Sequence, residues 1–149
     1  MIENIGWVIL TTLTPVSELR GGIPLGLHLG LNPTLTFLIT VFFNCLIFFP
    51  VYFGMKLCYK KWLSKIDIFN KYLSRVREKG EPYVKKYGLI GLVLLVAIPL
   101  PFTGAYSGSF LSWLLGVKWK RAFFAVTIGV LIAGTIISSI YLGLFNLII

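Results

Sequence analysis

Two long apolar runs limit what this chain can fold into. Residues 35–57 form a run of 23 whose one charge is Lys56, and residues 122–149 form a run of 28 without any charge. A helix rises about 1.5 Å per residue and the hydrocarbon core of a bilayer is about 30 Å thick, so each run is long enough to cross it. We therefore expect transmembrane helices at about 35–57 and 122–146.

The composition favours a membrane protein and excludes several other classes. Of the 149 residues, 57% are hydrophobic and only 13% are charged, whereas soluble globular proteins carry roughly 25% charged residues. The apolar content excludes a disordered chain, and two cysteines are too few for a disulfide framework. No metal-ligand spacing, phosphate loop or nucleophile motif is found, so we expect neither an enzyme nor a cofactor.

The basic residues are concentrated in one segment. The formal net charge is +9, and residues 56–86 alone contain ten basic and three acidic side chains. The positive-inside rule explains such a segment between apolar runs, so no nucleic-acid partner is needed. We expect a multi-pass protein of the plasma membrane, with this segment in the cytoplasm and both termini outside.

Residues 59–86 are predicted to form a basic cytoplasmic amphipathic helix. Five apolar side chains recur at helical spacing along one face: Trp62, Ile66, Phe69, Leu73 and Val76. Gly80 and Pro82 are expected to end the helix. Such a helix lies on the inner leaflet and contacts anionic lipids. The predicted membrane-surface residues are Lys60, Lys61, Lys65, Lys71 and Arg75.

Two further apolar stretches are interrupted and do not fit a simple crossing. The first covers about residues 5–31 and is broken at Pro15, and the second covers about residues 87–117 and is broken at several prolines and glycines. Two arms of about fifteen residues each reach only about 22 Å, which is too short to cross. We therefore predict two re-entrant hairpins, which dip into the membrane and return.

The two halves of the sequence match each other at an offset of 86 residues. Six identities support this alignment: Pro15 with Pro101, Gly22 with Gly108, Leu25 with Leu111, Leu29 with Leu115, Gly30 with Gly116, and Phe37 with Phe123. Residues 1–58 and 87–149 each read as a re-entrant hairpin followed by a transmembrane helix. The predicted fold is an all-α integral membrane protein, a single domain over residues 1–149 built as an inverted repeat, with both hairpin tips near the midplane.

Glu18 and Arg20 are the only full charges predicted inside a membrane-embedded segment. A charge at this depth costs roughly 2.5–3.5 kcal/mol or more and is normally retained for a ligand, an ion pathway or a proton relay. In a shallower hairpin, Arg20 instead reaches the lipid headgroups. The two residues face one another only if the backbone is not helical there, and Gly21, Gly22 and Pro24 favour such a backbone.

The second interrupted stretch combines helix breakers with small hydroxyl side chains. Non-helical backbone at this depth can bind a substrate or ion, and the same small residues also allow close helix packing. Asn44, in the first transmembrane helix, is a further hydrogen-bonding group for either role. The full candidate set for substrate or ion binding is Pro15, Glu18, Arg20, Gly22, Pro24, Asn44, Pro99, Pro101, Thr103, Gly104, Tyr106, Ser107 and Gly108.

Residues 15–26 (PVSELRGGIPLG) and 99–108 (PLPFTGAYSG) resemble the small multidrug export protein family. The resemblance extends over nearly the whole chain. That family is similar to the DedA superfamily, which implies two opposed re-entrant hairpins and transport of lipids or lipid-linked carriers, in some members with proton coupling. By this resemblance Glu18 corresponds to the embedded acid of the first DedA hairpin. Residues 97–108 contain none of the arginines that the second DedA hairpin carries.

Three functions follow as hypotheses. The first is a proton-coupled transporter of a lipophilic or amphipathic substrate, in which the Glu18 carboxyl alternates between proton and substrate, because a buried carboxyl can exchange protons near neutral pH. The second is a lipid or polyprenyl-phosphate flippase or scramblase. The third is a non-transporting membrane scaffold whose basic helix recruits partners. Two crossings are too few to seal a polar path, so we also expect a homodimer through Gly129 and Gly134, or through Gly143.

Overall fold

The computed structural model of the protein describes residues 2–99 and 103–148, so the candidate residue Pro101 lies outside the described residues. Within these ranges the chain is all-helical. Its seven α-helices are α1 (Ile2–Leu13), α2 (Glu18–His28), α3 (Pro33–Lys61), α4 (Asp67–Tyr87), α5 (Ile90–Ala97), α6 (Ala105–Leu114) and α7 (Trp119–Ile148), with a 3-10 turn at Leu63–Lys65. The expectation of an all-α membrane protein is confirmed at this level.

Helices α3 and α7 are the long apolar helices of the fold. The segments Pro33–Lys65 and Trp119–Leu144 are long and apolar enough to cross a membrane. Helix α3 starts at a proline, and the Asn32 side chain accepts a hydrogen bond of 2.9 Å from the Thr34 amide, which caps the helix. Both helices cover the runs that the sequence predicts as membrane spans.

The remaining apolar helices come in two short pairs. In the first helix pair, α1 and α2 are joined by a turn at residues 14–17, and in the second helix pair, α5 precedes α6. The longest of the four is α1 with 12 residues, which at 1.5 Å per residue corresponds to about 18 Å. None of them alone reaches across a hydrocarbon core of about 30 Å.

The two helix pairs pack around the two long helices in a crossed arrangement. Helices α1 and α2 both contact α3, and α5 and α6 both contact α7. In addition α6 packs on α3, α2 packs on α7, and α3 packs on α7. Each long helix is therefore covered by its own helix pair and by one helix of the other pair.

Helices α2 and α6 end in the same way. Helix α2 is followed by Gly30 with φ 74°, and α6 by Gly116 with φ 71°. After each glycine, the next amide donates a hydrogen bond to the carbonyl five residues earlier. The Leu31 amide donates to the Gly26 carbonyl at 3.0 Å, and the Val117 amide donates to the Ser112 carbonyl at 2.9 Å. Positive φ favours glycine, because a Cβ is strained in this conformation. The two glycines are 86 residues apart, the offset that aligns the two halves of the sequence.

An aromatic cluster joins α3 to α7 near the end of α6. The fully buried Phe48 ring stacks on Tyr52 at 5.1 Å and meets the edge of Phe123 at 5.4 Å between centroids. The Tyr52 hydroxyl donates a hydrogen bond of 2.6 Å to the Val117 carbonyl. These contacts fix the connection between α6 and α7 against α3.

Helix α4 differs from the sequence prediction at both ends. It begins at Asp67, so Trp62 and Ile66 precede it, and they are 79% and 48% exposed. It also continues through Gly80 and Pro82 to Tyr87, so the expectation that these residues end the helix is wrong. Gly80 lies against the end of α6, since an added Cβ there would meet the Leu115 side chain.

The apolar face of α4 packs against the bundle. Leu73 is only 2% exposed, and the Arg77 Nε donates a hydrogen bond of 3.1 Å to the Leu114 carbonyl at the end of α6. This arginine satisfies a carbonyl that has no partner within α6. The five predicted membrane-surface residues, Lys60, Lys61, Lys65, Lys71 and Arg75, are all exposed.

Two of the three glycines expected at a dimer interface are used inside the protomer. A Cβ added at Gly129 would lie 2.8 Å from Val96 Cγ1, and one added at Gly134 would lie 3.0 Å from Phe37 Cε2. Both are therefore close-packing positions within the chain, and the expectation that they form the interface is wrong. Gly143 has no atom within 4 Å of an added Cβ and stays open.

The contact between α2 and α3 gives a first prediction. A Cβ at Gly22 would overlap the Thr12 hydroxyl, which is fixed by a 2.7 Å hydrogen bond to Val8, and would lie 2.9 Å from Thr40 Cγ2. Gly22→Ala is expected to lower the free energy of unfolding by about 1–3 kcal/mol through overpacking. Gly6→Ala, where a Cβ meets nothing within 4 Å, is expected to raise it by about 0.5–1 kcal/mol through helix propensity.

Thermal unfolding of the purified protein in one detergent measures both variants. If Gly22→Ala is as stable as Gly6→Ala, the close packing of α2 on α1 and α3 is contradicted.

Candidate functional site

Glu18 starts α2 with an unusual backbone. Its φ is 45°, and no other residue except glycine has a positive φ among residues 2–99 and 103–148. This conformation costs of the order of 1–3 kcal/mol and persists only where the surroundings fix it. The expectation of non-helical backbone at Gly21, Gly22 and Pro24 is wrong, since all three lie within α2. The irregular residue is Glu18 itself.

The Glu18 carboxylate is buried between the two helix pairs. The side chain is 8% exposed. Its Oε2 accepts a hydrogen bond of 3.2 Å from the Ala105 amide, and its Oε1 accepts one of 3.2 Å from the Tyr106 amide. These are the first two amides of α6, which have no carbonyl partner within the helix and lie at the positive end of its dipole. The first helix pair thus supplies the N-terminal cap of α6.

Gly104 allows the Glu18 carboxylate to approach the N-terminus of α6. A Cβ at position 104 would overlap both the carboxyl carbon and the oxygens of Glu18. The Ser107 hydroxyl accepts a hydrogen bond of 2.9 Å from the Gly104 amide and donates one of 3.2 Å back to the Gly104 carbonyl. The N-terminus of α6 is therefore held in shape independently of Glu18.

Arg20 also binds the segment at the start of α6, but it donates to oxygen atoms there, whereas Glu18 accepts from amides. Its Nη2 donates to the Thr103 carbonyl and, at 3.0 Å, to the Thr103 hydroxyl. The Thr103 hydroxyl in turn donates a hydrogen bond of 2.8 Å to the Ile98 carbonyl. Glu18 and Arg20 form no ion pair within 4.0 Å. The only ion pair in the described part of the chain joins Lys85 and Glu81. The acid binds amides and the base binds oxygens.

The second helix pair reaches back to the first. The Tyr106 hydroxyl donates a hydrogen bond of 2.6 Å to the Leu13 carbonyl at the end of α1. Arg20 and Tyr106 are 86 residues apart, so corresponding positions of the two halves each bind a backbone carbonyl of the other half. The contact between the two pairs is reciprocal.

A groove of about 360 Å³ opens beside these charged groups. Its lining residues are Pro15, Val16, Glu18, Arg20, Val51, Thr103, Tyr106, Ser107 and Phe110. A second void of about 10 Å³ is also lined by Glu18, together with Gly104 and Val130. This void is about large enough for one water molecule. Ligand pockets of proteins have volumes of about 300–1,000 Å³, and the groove is of that size.

Asn44 is a buried polar side chain of α3, the helix on which α2 packs. A Cβ at Gly26 would meet Thr36, and one at Gly22 would meet Thr40, so α2 runs antiparallel to α3. The Asn44 side chain is fully buried, and neither its oxygen nor its nitrogen has a hydrogen-bond partner among the described residues. A polar side chain without a hydrogen-bond partner is costly to bury.

The candidate residues of the sequence separate into two groups. Glu18, Arg20, Thr103, Tyr106 and Ser107 meet at the groove together with Pro15, and Gly104 contacts the carboxylate. The others serve packing or lie away from the groove. Gly22 and Gly108 allow helices to approach, Pro24 lies inside α2, and Pro99 is half-buried before α6.

Four contributions to the site are absent from the sequence prediction. They are the Ala105 amide and the side chains of Val16, Val51 and Phe110. Phe110 follows Tyr106 by about one helical turn, so helical periodicity carries a signal for it. Val51 reaches the groove from α3 through packing alone. Among the described residues, no three His, Cys, Asp or Glu side chains are close enough to hold a metal ion.

The fold defines a small all-helical membrane protein with two helices able to cross the bilayer and ionisable groups buried between short helix pairs. The chain matches the family described as "Putative small multi-drug export protein" over residues 18–136. It therefore belongs to this family of membrane transporters, as the resemblance of its two motifs implies. No curated protein and no solved structure matches the chain.

The fit between Gly104 and Glu18 gives a second prediction. Gly104→Ala places a methyl group on the carboxylate and breaks its two amide hydrogen bonds. Because a hydrogen bond to a charged group contributes about 1.5–3 kcal/mol, we expect a loss of at least about 2 kcal/mol in the free energy of unfolding. Gly91→Ala is the matched control, since a Cβ there meets nothing within 4 Å.

A double-mutant cycle in detergent measures this effect by thermal unfolding. In a Glu18→Ala background the carboxylate is gone, so Gly104→Ala is expected to cost little further stability. Equal costs in both backgrounds would show that the methyl group acts elsewhere.

Proposed function

We propose that this protein is a proton-coupled transporter that moves a lipophilic or amphipathic substrate along the groove beside Glu18. The observation behind the proposal is the buried carboxylate of Glu18, which one helix pair supplies and the other binds through the Ala105 and Tyr106 amides. A charge buried at this depth is normally retained for transport or binding. Here it is also the contact that joins the two halves.

We propose further that both helix pairs are re-entrant hairpins and that the halves form an inverted repeat. The equivalent ends of α2 and α6 and the reciprocal contacts of Arg20 and Tyr106 support this relation. One crossing by α3 between the halves reverses their orientation. The positive-inside rule then puts residues 59–86 in the cytoplasm and both termini outside.

Protonation of Glu18 is the proposed coupling step. The ionised carboxylate is held by two amides at the positive end of α6, and hydrogen bonds to a charged acceptor are roughly twice as strong as neutral ones. When the carboxyl takes up a proton, these bonds weaken and the α6 N-terminus is released from α2. A cationic substrate competes for the same carboxylate from the groove, so proton and substrate bind alternately.

The groove lining indicates the class of substrate. Val16, Val51 and Phe110 provide apolar surface, while Glu18 provides a negative charge beside it. A lipophilic cation matches both features. Arg20 already donates to the Thr103 carbonyl and hydroxyl, so its charge is partly engaged within the protein.

A flippase or scramblase for a lipid phosphate, as in the DedA superfamily, is the second candidate. It is favoured by the half-buried Arg20, whose guanidinium lines the groove and matches phosphate geometry. This candidate predicts lipid movement without a proton gradient. A scaffold that recruits partners through the exposed Lys60, Lys61 and Lys65 is the third, and it predicts no transport at all.

We also propose a homodimer. Two membrane crossings per chain are too few to enclose a polar path. Gly143, which is exposed and open on α7, is the small residue still available for a helix contact between protomers.

Transport in sealed liposomes tests the first proposal. The liposomes contain a pH-sensitive dye, and a lipophilic cation or a long-chain lipid phosphate is added on one side. We expect the lipophilic cation to drive proton movement in the wild type, and Glu18→Gln to reduce it by about tenfold or more, since the loss of a positioned proton-transfer group typically costs 10²–10⁴-fold. Glu3→Gln removes the same charge from the exposed Glu3 on α1 and is expected to leave transport unchanged.

The other outcomes separate the hypotheses. Lipid movement without protons, equal in wild type and Glu18→Gln, contradicts coupling and supports the flippase. If neither compound moves, transport is contradicted and the scaffold remains.

A further inference from the structure

We propose that the basic end of the molecule holds one phospholipid with an anionic headgroup, whose phosphate lies between α4 and the start of α7 and whose acyl chain enters an adjoining apolar cavity. This binding site is separate from the groove at Glu18 and does not depend on the transport proposal. Charge, shape and the character of the neighbouring surface each support it.

The headgroup site is a cavity of about 700 Å³ where α4 meets the connection between α6 and α7. Five charged side chains line it: Arg77, Glu81, Lys85, Lys118 and Arg121. Four are basic and one is acidic, so the lining has a net charge of +3. A cavity of this charge favours an anion.

The acidic side chain of the cavity, Glu81, is already paired with a basic one. Glu81 Oε1 lies 2.7 Å from Lys85 Nζ, and the hydrogen bond and charge of Lys85 lower the pKa of the Glu81 carboxyl. Arg77 is bound to the Leu114 carbonyl at 3.1 Å. The side chains of Lys118 and Arg121 form no ion pair or hydrogen bond with the described residues. Two cations thus face the cavity without a counter-charge.

The position of these cations increases the need for an anion. Helix α7 begins at Trp119, so Lys118, Lys120 and Arg121 lie around its N-terminus. The N-terminus of a helix carries a partial positive charge, and basic side chains are unfavourable there. A phosphate in the cavity offsets both the helix dipole and the repulsion among the side chains.

The adjoining cavity fits an acyl chain. It has a volume of about 220 Å³ and shares Val84, Gly88, Leu89, Leu115 and Val117 with the basic cavity. Its remaining lining includes Leu92 and Leu111. A free phosphate would occupy only the basic cavity and leave this apolar one empty, whereas a phospholipid occupies both.

The surface beside the apolar cavity indicates the source of the ligand. On α5, Ile90 is 68% exposed and Leu94 is 54% exposed. These side chains lie next to the cavity residues Leu89 and Leu92 along the chain and face acyl chains when the protein is in a bilayer. The ligand is therefore a membrane lipid, and it bridges α4 to the end of the bundle.

The test counts bound lipid on the full-length protein by native mass spectrometry. Protein in a neutral detergent is titrated with phosphatidylglycerol or with phosphatidylcholine of the same acyl chains, and we expect one tightly bound phosphatidylglycerol. Lys118→Gln/Arg121→Gln is expected to weaken it about 20-fold, since each basic residue near an anionic surface contributes about a fivefold factor. Lys79→Gln/Lys86→Gln removes the same charge from exposed positions on α4 that do not line the cavity, and it is expected to change the affinity less than twofold.

Equal weakening by both double variants, or equal binding of the two lipids, overturns the proposal. If the first double variant does not fold, Arg121→Gln alone is compared with Lys79→Gln, and equal affinities again overturn the proposal.

A second variant tests the acyl-chain cavity. Gly91 lines it, and an added Cβ there meets nothing within 4 Å. We expect Gly91→Leu to fill the cavity and to weaken phosphatidylglycerol binding about tenfold or more. Gly88 also lines it but has φ 57°, so a substitution at Gly88 would strain the backbone instead. If Gly91→Leu has no effect and inorganic phosphate alone displaces the lipid, the site binds free phosphate and the proposal fails.

Discussion

The Glu18 carboxylate and the first amides of α6 depend on one another. A carboxylate taken out of water needs hydrogen-bond donors, and the N-terminus of a helix needs acceptors. Each group finds its partner in the other half of the chain, at 3.2 Å from the Ala105 and Tyr106 amides. The left-handed backbone of Glu18 and the absence of a side chain at Gly104 both serve this contact. The position of each helix pair is thus fixed by a polar group of the other.

The rest of the fold keeps this contact in place by close packing. Gly22 lets α2 approach Thr12 and Thr40, and the corresponding Gly108 lets α6 approach Val96 and Val126. Gly22 with Gly108 and Thr40 with Val126 are again related by the 86-residue offset between the halves. Threonines surround Gly22 and valines surround Gly108, so the two halves share the same helix packing and differ in polarity. The polar half is the one that contains Glu18 and the buried Asn44.

Much of the site can be predicted from the sequence, because a charged side chain in an apolar stretch is visible there and is costly to bury. Glu18 and Arg20 stand out in an apolar stretch, and the breakers before α6 mark the segment that binds them. Predictions from helix breakers and from small residues were less successful. Gly80 lies inside α4 although glycine disfavours a helix by about 1 kcal/mol, and Gly129, expected at a dimer interface, packs on Val96 within the protomer. In both cases the residue faces a distant side chain, Leu115 or Val96, that the local pattern does not specify.

The sequence by itself determined the two long apolar helices, the two short helix pairs and the internal offset, because length, hydropathy and helix breakers act along the chain. Only the tertiary structure decided that Glu18 caps α6, that Arg20 binds Thr103, and that Val51 and Phe110 complete the groove. It also decided that Lys118 and Arg121 share a cavity with α4. These groups come from different helices of the bundle, and no local pattern specifies which distant amide, carbonyl or apolar surface a side chain will meet.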